Sequence, residues 1–140
     1  MKHPFIITLS SLIFILGAYT LPESSIAQLA DVRTLLNSVH KSRIVFPRGR
    51  TSINIRDGIN NIYIFRANAG QFLTLRVNAL GGRASVMLYS VNGKPLSPDF
   101  NGSEGEGKSF SLRLNKTGDY YIFGYSGPTN HFYNFTLSIK

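Results

Sequence analysis

The sequence has no cysteine and no tryptophan in 140 residues, and its 15 Lys and Arg face only 7 Asp and Glu. Without cysteine there are no disulfide staples, no thiolate metal sites and no acylated lipoprotein terminus, so burial of apolar area must supply the stability. Histidine is as scarce, with His3, His40 and His131 far apart, which excludes the short fixed spacings of a zinc site. Long hydrophobic runs are missing too. The one candidate, Phe5 to Ala18, is shorter than the roughly 20 residues that span a bilayer and is interrupted by Thr8, Ser10 and Ser11.

That short run has another reading. Lys2 precedes it, an apolar stretch around Ile13, Phe14, Ile15 and Leu16 forms its middle, and Ser25-Ile26-Ala27 supplies the small residues of a peptidase site, with Ala30 as a minor variant. Residues 1–27 are therefore expected to be a secretory signal peptide, with no transmembrane span left after cleavage. The remainder, about 113 residues, has the size of one domain with one core. An exported chain with no cysteine fits a bacterial periplasm or an extracellular setting.

Positive charge dominates the remainder, whose only acids are Asp31, Asp57, Asp99, Asp119, Glu104 and Glu106. Such a chain is drawn to anionic envelope or extracellular polymers by forces that salt screens. No lysine-rich tail or basic helix concentrates the charge as a dedicated nucleic-acid module would.

Residues 28–42 read as a leader or a short helix, since Leu29, Val32, Leu35, Leu36 and Val39 fall near one helical face. From residue 43 to 140 the period is two. Ile53 and Ile55 alternate with polar residues, and strands are expected at Ile62–Ala67, Gln71–Ala79, Ala84–Val91, Ser109–Asn115, Tyr120–Tyr125 and Phe132–Ile139. Asn68-Ala69-Gly70 reads as a hairpin loop with Gly70 at positive φ, pairing the strands on either side of it. Pro95 to Lys108, rich in glycine, reads as a long mobile surface loop. About seven or eight short strands and almost no helix indicate an all-β, antiparallel two-sheet sandwich or jelly roll, with a closed small barrel as the competing architecture.

Catalytic chemistry finds no footing. His40 lies in the leader and His131 in a loop, both read as solvated. Asn101-Gly102-Ser103-Glu104-Gly105 lacks the spacing of a nucleophile elbow. Asp99, Asn101, Glu104 and Glu106 offer oxygen ligands at no recognised calcium spacing. The chain is read as a non-enzyme with no cofactor and no metal. Binding candidates come from two places. If the paired strands around Gly70 share an outer face, Arg66, Phe72 and Arg76 lie together on it. The crowded aromatics of the last two strands, read as a hairpin, add Tyr125, Ser126, Asn130 and Tyr133, with Tyr133 expected opposite Phe135, Leu137 and Ile139. Exposed tyrosines beside Ser126 and Asn130 suit a glycan or a protein partner.

Two family resemblances follow. Tyr63-x-Phe65, Ala69-Gly70-Gln71-x-Leu73-x-Leu75, Val86-x-Leu88-Tyr89 with Asn92-Gly93, Thr117-Gly118-Asp119-Tyr120-Tyr121 and Phe135-Thr136-Leu137 resemble the bacterial pre-peptidase C-terminal domain. That likeness implies a non-catalytic sandwich accompanying exported enzymes, although Gly82-Arg83-Ala84-Ser85 stands where acidic residues are common. Ile44-x-Phe46-x-x-Gly49-x-Thr51-Ser52, with Ala69-Gly70-Gln71 and Gly118-Asp119-Tyr120, is similar to periplasmic inhibitors of animal lysozymes. This second likeness implies a stand-alone exported sandwich whose loop Ser126 to His131 enters a lysozyme cleft. The reading favoured from sequence is a secreted binding module for an anionic polymer or glycan of the envelope or extracellular space. Inhibition of lysozyme, a protein partner, is its alternative.

Overall fold

The computed structural model of the chain describes residues 32–127 and 131–140, so the signal-peptide reading and Asn130 lie outside the described residues. Nine strands occur in it: β1 (His40–Arg43), β2 (Ser52–Asp57), β3 (Asn61–Ala67), β4 (Phe72–Gly81), β5 (Ser85–Tyr89), β6 (Phe100–Asn101), β7 (Ser109–Arg113), β8 (Gly118–Tyr125) and β9 (Phe132–Ile139). Two single helical turns, α1 (Val32–Leu35) and α2 (Gly102–Gly105), complete the elements among the described residues. Sheet A has the order β1-β3-β8-β5-β6 and sheet B the order β2-β9-β4-β7. The two sheets stay separate, which makes the architecture an all-β sandwich and not a closed barrel.

Alternation builds the core. Every second residue of β3, β4, β8 and β9 points between the sheets, burying Tyr63, Phe65, Leu73, Leu75, Val77, Tyr120, Ile122, Tyr133, Phe135 and Leu137. Complete burial of one such side chain is worth about 1.5–3 kcal/mol, so this set supplies what disulfides do not. A β-bulge between Val77 and Ala79 shifts the parity of β4. After it Leu80 points inward, while the Asn78 amide donates on the outer face to Thr136 Oγ1 (2.9 Å).

Two expected hairpins are not hairpins. Gly70 does adopt φ 89°, but β3 pairs with β1 and β8 whereas β4 pairs with β7 and β9. The Asn68–Gly70 turn therefore carries the chain from sheet A to sheet B. The same holds for β8 and β9. Local turn chemistry was read correctly, but it does not say whether the second strand returns beside the first or crosses to the facing sheet.

Three further differences have physical causes. Tyr133 shares the parity of Phe135, Leu137 and Ile139, and is fully buried with them. Tyr121 and Phe123 face outward from sheet A, yet Val32, Leu35, Leu36 and Val39 pack over them together with Ile62, Ile64, Met87 and Tyr89. A helix of 4 residues has no stability of its own, so this apolar contact holds α1 in place. Pro95 to Lys108 is docked instead of forming a free loop: Phe100 is buried, β6 pairs with β5, and the Glu106 carboxylate accepts a hydrogen bond from Leu80 N (3.0 Å).

β1, which begins ahead of the expected boundary at residue 43, runs parallel to β3 at the edge of sheet A. Arg43 reaches from it to Asp119 at the start of β8 with two hydrogen bonds of 2.9 and 3.3 Å. The Arg43 guanidinium holds the Asp119 carboxyl below the usual carboxylate range.

Candidate binding edge at one end of the sandwich

At the end of the sandwich where β2 finishes and β3 begins, the turn Gly58–Asn60 is fixed from below. Gly58 N donates to Asp57 Oδ1 (2.7 Å), and the other carboxylate oxygen accepts from the Tyr63 hydroxyl (2.8 Å). Tyr133 OH donates to the carbonyl of Ile59 (2.7 Å) and lies 2.9 Å from Tyr63 OH. Two hydroxyl protons thus serve three short contacts, with Tyr63 donating to Asp57 and Tyr133 shared between Ile59 and Tyr63. Desolvation pushes Tyr63 up to about 12 and raises Tyr133 as well. Both phenols stay neutral at physiological pH and act as pins, not as bases or nucleophiles.

The connection from β8 to β9 is anchored at both of its described ends. Ser126 is buried, and its N–H and hydroxyl both donate to Asn60 Oδ1 (2.9 and 3.2 Å). The ring of His131 sits so near Gly82 and Gly127 that a Cβ would lie 2.7 Å from it at the first and 2.6 Å at the second. His131 Nδ1 accepts a hydrogen bond from Arg83 N (2.7 Å), which places the proton of the neutral ring on Nε2. Three connections, β2–β3, β4–β5 and β8–β9, are thereby locked to one another. His131 is a joint between loops and not a free solvated residue, and His40 in β1 contacts Asn61 Oδ1 through Nδ1 (3.2 Å).

This frame exposes apolar area. Ile59 and Tyr125 keep 48% and 38% of their surface in solvent, two of the four large hydrophobics exposed among the described residues. They immediately precede Asn60 and Ser126, so the hydrogen-bonded junction of those two residues sets both on one edge. Arg83 is exposed beside it, and the Arg56 guanidinium lies 4.5 Å over the ring of Phe132. The only carboxylate of the turn, Asp57, is engaged by Tyr63. Such an edge can bury apolar area against a partner on a fixed backbone, but among the described residues it carries no nucleophile–base pair and no paired carboxylates.

The sequence-selected residues divide accordingly. Tyr125 and Ser126 belong to this edge, the first as surface and the second as anchor. Tyr133 is buried beneath it and supports the turn. Arg66, Phe72 and Arg76 do not form a common face, because Arg66 ends β3 in sheet A while Phe72 and Arg76 lie on the outer side of β4 in sheet B. There Phe72 pairs with Arg113, and Arg76 lies between Ser109 and Thr136. Ile59, Asn60 and Arg83 escaped the sequence reading. Asp57-Gly58 marks a turn, but nothing in the local sequence tells that the following isoleucine is left in solvent.

No family model matches the chain, and no curated protein matches it. Solved structures share its fold. One is that of Aeromonas hydrophila PliG, a periplasmic lysozyme inhibitor of g-type lysozyme, with a TM-score of 0.59 and 16% identity over 73% of this chain and 97% of that one. Another is Salmonella Typhimurium PliG, of the same description, with a TM-score of 0.51 and 16% identity over 74% of this chain and all of that one. The likeness to the pre-peptidase C-terminal domain rests on its motif residues alone.

Proposed function

We propose that this chain is an exported, non-catalytic β-sandwich that binds a protein, a lysozyme of the g type, through the edge formed by Ile59, Tyr125, Arg83 and the loop 126–131. The observation that carries the reading is the locked junction of Asn60 with Ser126, which presents Ile59 and Tyr125 together on a backbone that loses little freedom on binding. The shared fold with two inhibitors of g-type lysozyme supports the choice of partner.

Many lysozymes are basic and so is this chain, so like charge opposes their approach. Strand register shows where the charge sits. Arg48, Arg50, Arg66, Arg113, Lys116 and Lys140 lie at or beside the opposite ends of the strands, away from Ile59 and Tyr125. Repulsion on approach falls off over a Debye length, about 8 Å at physiological salt, so the charge met at the edge is mainly that of its own Arg83 and of the nearby Arg56.

The test compares wild type with Ile59→Asp and Tyr125→Asp in binding to a g-type lysozyme by calorimetry. Each substitution puts a charge where apolar area would be buried, and weakening of at least about tenfold is expected for each. Unchanged binding in both variants would move the interface elsewhere. Among the described residues no helix is long and apolar enough to cross a membrane. Periplasmic residence is part of the proposal.

A further inference from the structure

At the pole opposite the proposed edge, the start of β2, the end of β3, the start of β4 and the end of β9 border an open recess of about 180 Å³. It is lined by Phe46, Arg50, Thr51, Arg66, Gln71 and Ile139. Phe46 and Ile139 are its apolar walls. The polar lining residues, Arg50, Thr51, Arg66 and Gln71, all carry side-chain donors.

The orientation of that amide is set by the fold. Gln71 Oε1 accepts the N–H of Asn68 (2.7 Å), which leaves the NH₂ group of Gln71 as the free end. Arg50 is placed by the turn in which its N–H bonds to Pro47 O (2.9 Å). Arg66 is the Cα partner of Asp119, whose carboxylate accepts two hydrogen bonds from Arg43 and is also attracted by the charge of Arg66. The main-chain oxygen of Lys140, next to Ile139, is taken by Phe72 N (2.8 Å). Arg50 and Arg66 therefore flank one recess with no carboxylate in its lining.

Two arginine side chains bordering one recess suit an oxyanion able to accept several N–H bonds at once. Carboxylates offer two oxygens. A phosphate offers three and up to two charges, which matches two guanidinium forks with Thr51 Oγ1 and Gln71 Nε2 as further donors. We infer that the recess bounded by Arg50, Thr51, Arg66 and Gln71 is a phosphate-binding site, distinct from the protein-binding edge and independent of it. The phosphate can be free or borne as an ester on a sugar, and the site would let the basic pole hold the protein at a phosphorylated surface while the other pole stays open.

Amide chemical shifts of the full-length mature protein, titrated at constant ionic strength with inorganic phosphate, with a phosphorylated hexose and with chloride, test this. Saturable shifts of Thr51, Arg66 and Gln71 with phosphate and not with chloride are expected. Arg50→Gln and Arg66→Gln should each weaken binding by at least about tenfold. Both arginines are exposed, so their variants should keep the wild-type melting temperature, and Arg113→Gln, outside the recess, should bind as wild type. Tighter binding of the phosphorylated hexose would identify an ester as the ligand, and equal binding would identify the phosphate group alone. Shifts that do not saturate, that chloride reproduces, or that Arg113→Gln reduces as much as Arg66→Gln would overturn the inference. The lysozyme-binding reading stands or falls separately, since Ile59 and Tyr125 take no part here.

Discussion

The ring of Tyr133 lies flat against the backbone of Gly124, so near that a Cβ at Gly124 would fall 2.6 Å from Cε2 and 2.7 Å from Cε1 of that ring. Gly124 occupies an inward position of β8, and the missing side chain makes the space into which Tyr133 inserts to reach Ile59. Gly124→Ala forces the ring to shift or β8 to move. A loss of about 1–3 kcal/mol is expected, together with a lower thermal midpoint, and calorimetric melting checks it. An unchanged midpoint would mean that the ring has room to spare.

The Tyr63–Tyr133 pair makes the protein sensitive to alkali. Desolvation raises the Tyr63 phenol from 10.0 to about 12, so the folded state holds its proton more tightly than the unfolded chain does. The stabilisation is complete below about pH 10 and disappears as pH rises through about 12. Urea unfolding in that interval should therefore weaken more steeply for wild type than for Tyr63→Phe. Parallel curves would remove the pair from the explanation.

Tyr133→Phe leaves the Ile59 carbonyl without its donor while the ring still fills the core. A loss of about 1–2 kcal/mol is expected, with faster amide exchange at Gly58, Ile59 and Asn60 and little change at the far pole. Exchange that rises equally throughout would show a general loss of packing instead.

Arg43 and Asp119 make an acid-sensitive tie at the β1 edge. The Asp119 carboxyl is depressed, first by its hydrogen bonds to Arg43, so its contribution is present above the unfolded carboxylate value and is lost as pH falls through the lower folded one. The tie is exposed and small. The stability difference between wild type and Asp119→Asn should be present near neutrality, shrink in acid and shrink in high salt. A difference independent of both would point to packing at Asp119.

What sequence made legible was whatever depends on neighbours along the chain. Alternation gave seven of the strands and the inward residues Tyr63, Phe65, Leu73, Leu75, Val77, Phe135 and Leu137 but put Tyr133 on the wrong side and left Tyr120 and Ile122 open, and Asn68-Ala69-Gly70 reads as a turn that needs positive φ at Gly70. It could not tell which sheet β4 or β9 would join, and so it put Arg66 with Phe72 and Arg76 on a face that does not exist. β6 and α2 are too short to have a period. The cover over Tyr121 and Phe123 comes from residues more than eighty positions away. The binding edge was half visible: Tyr125 and Ser126 sit in an aromatic cluster that the sequence displays, whereas Ile59 depends on a tyrosine pair brought together by the two-sheet packing.

The most direct measurement is the lytic activity of a g-type lysozyme titrated with the purified protein at physiological salt. The account predicts a linear fall in activity to an end point at one protein per enzyme, abolished by the joint change of Ile59→Asp and Tyr125→Asp in a variant with unaltered melting. Full lytic activity at a large excess of the protein would contradict it.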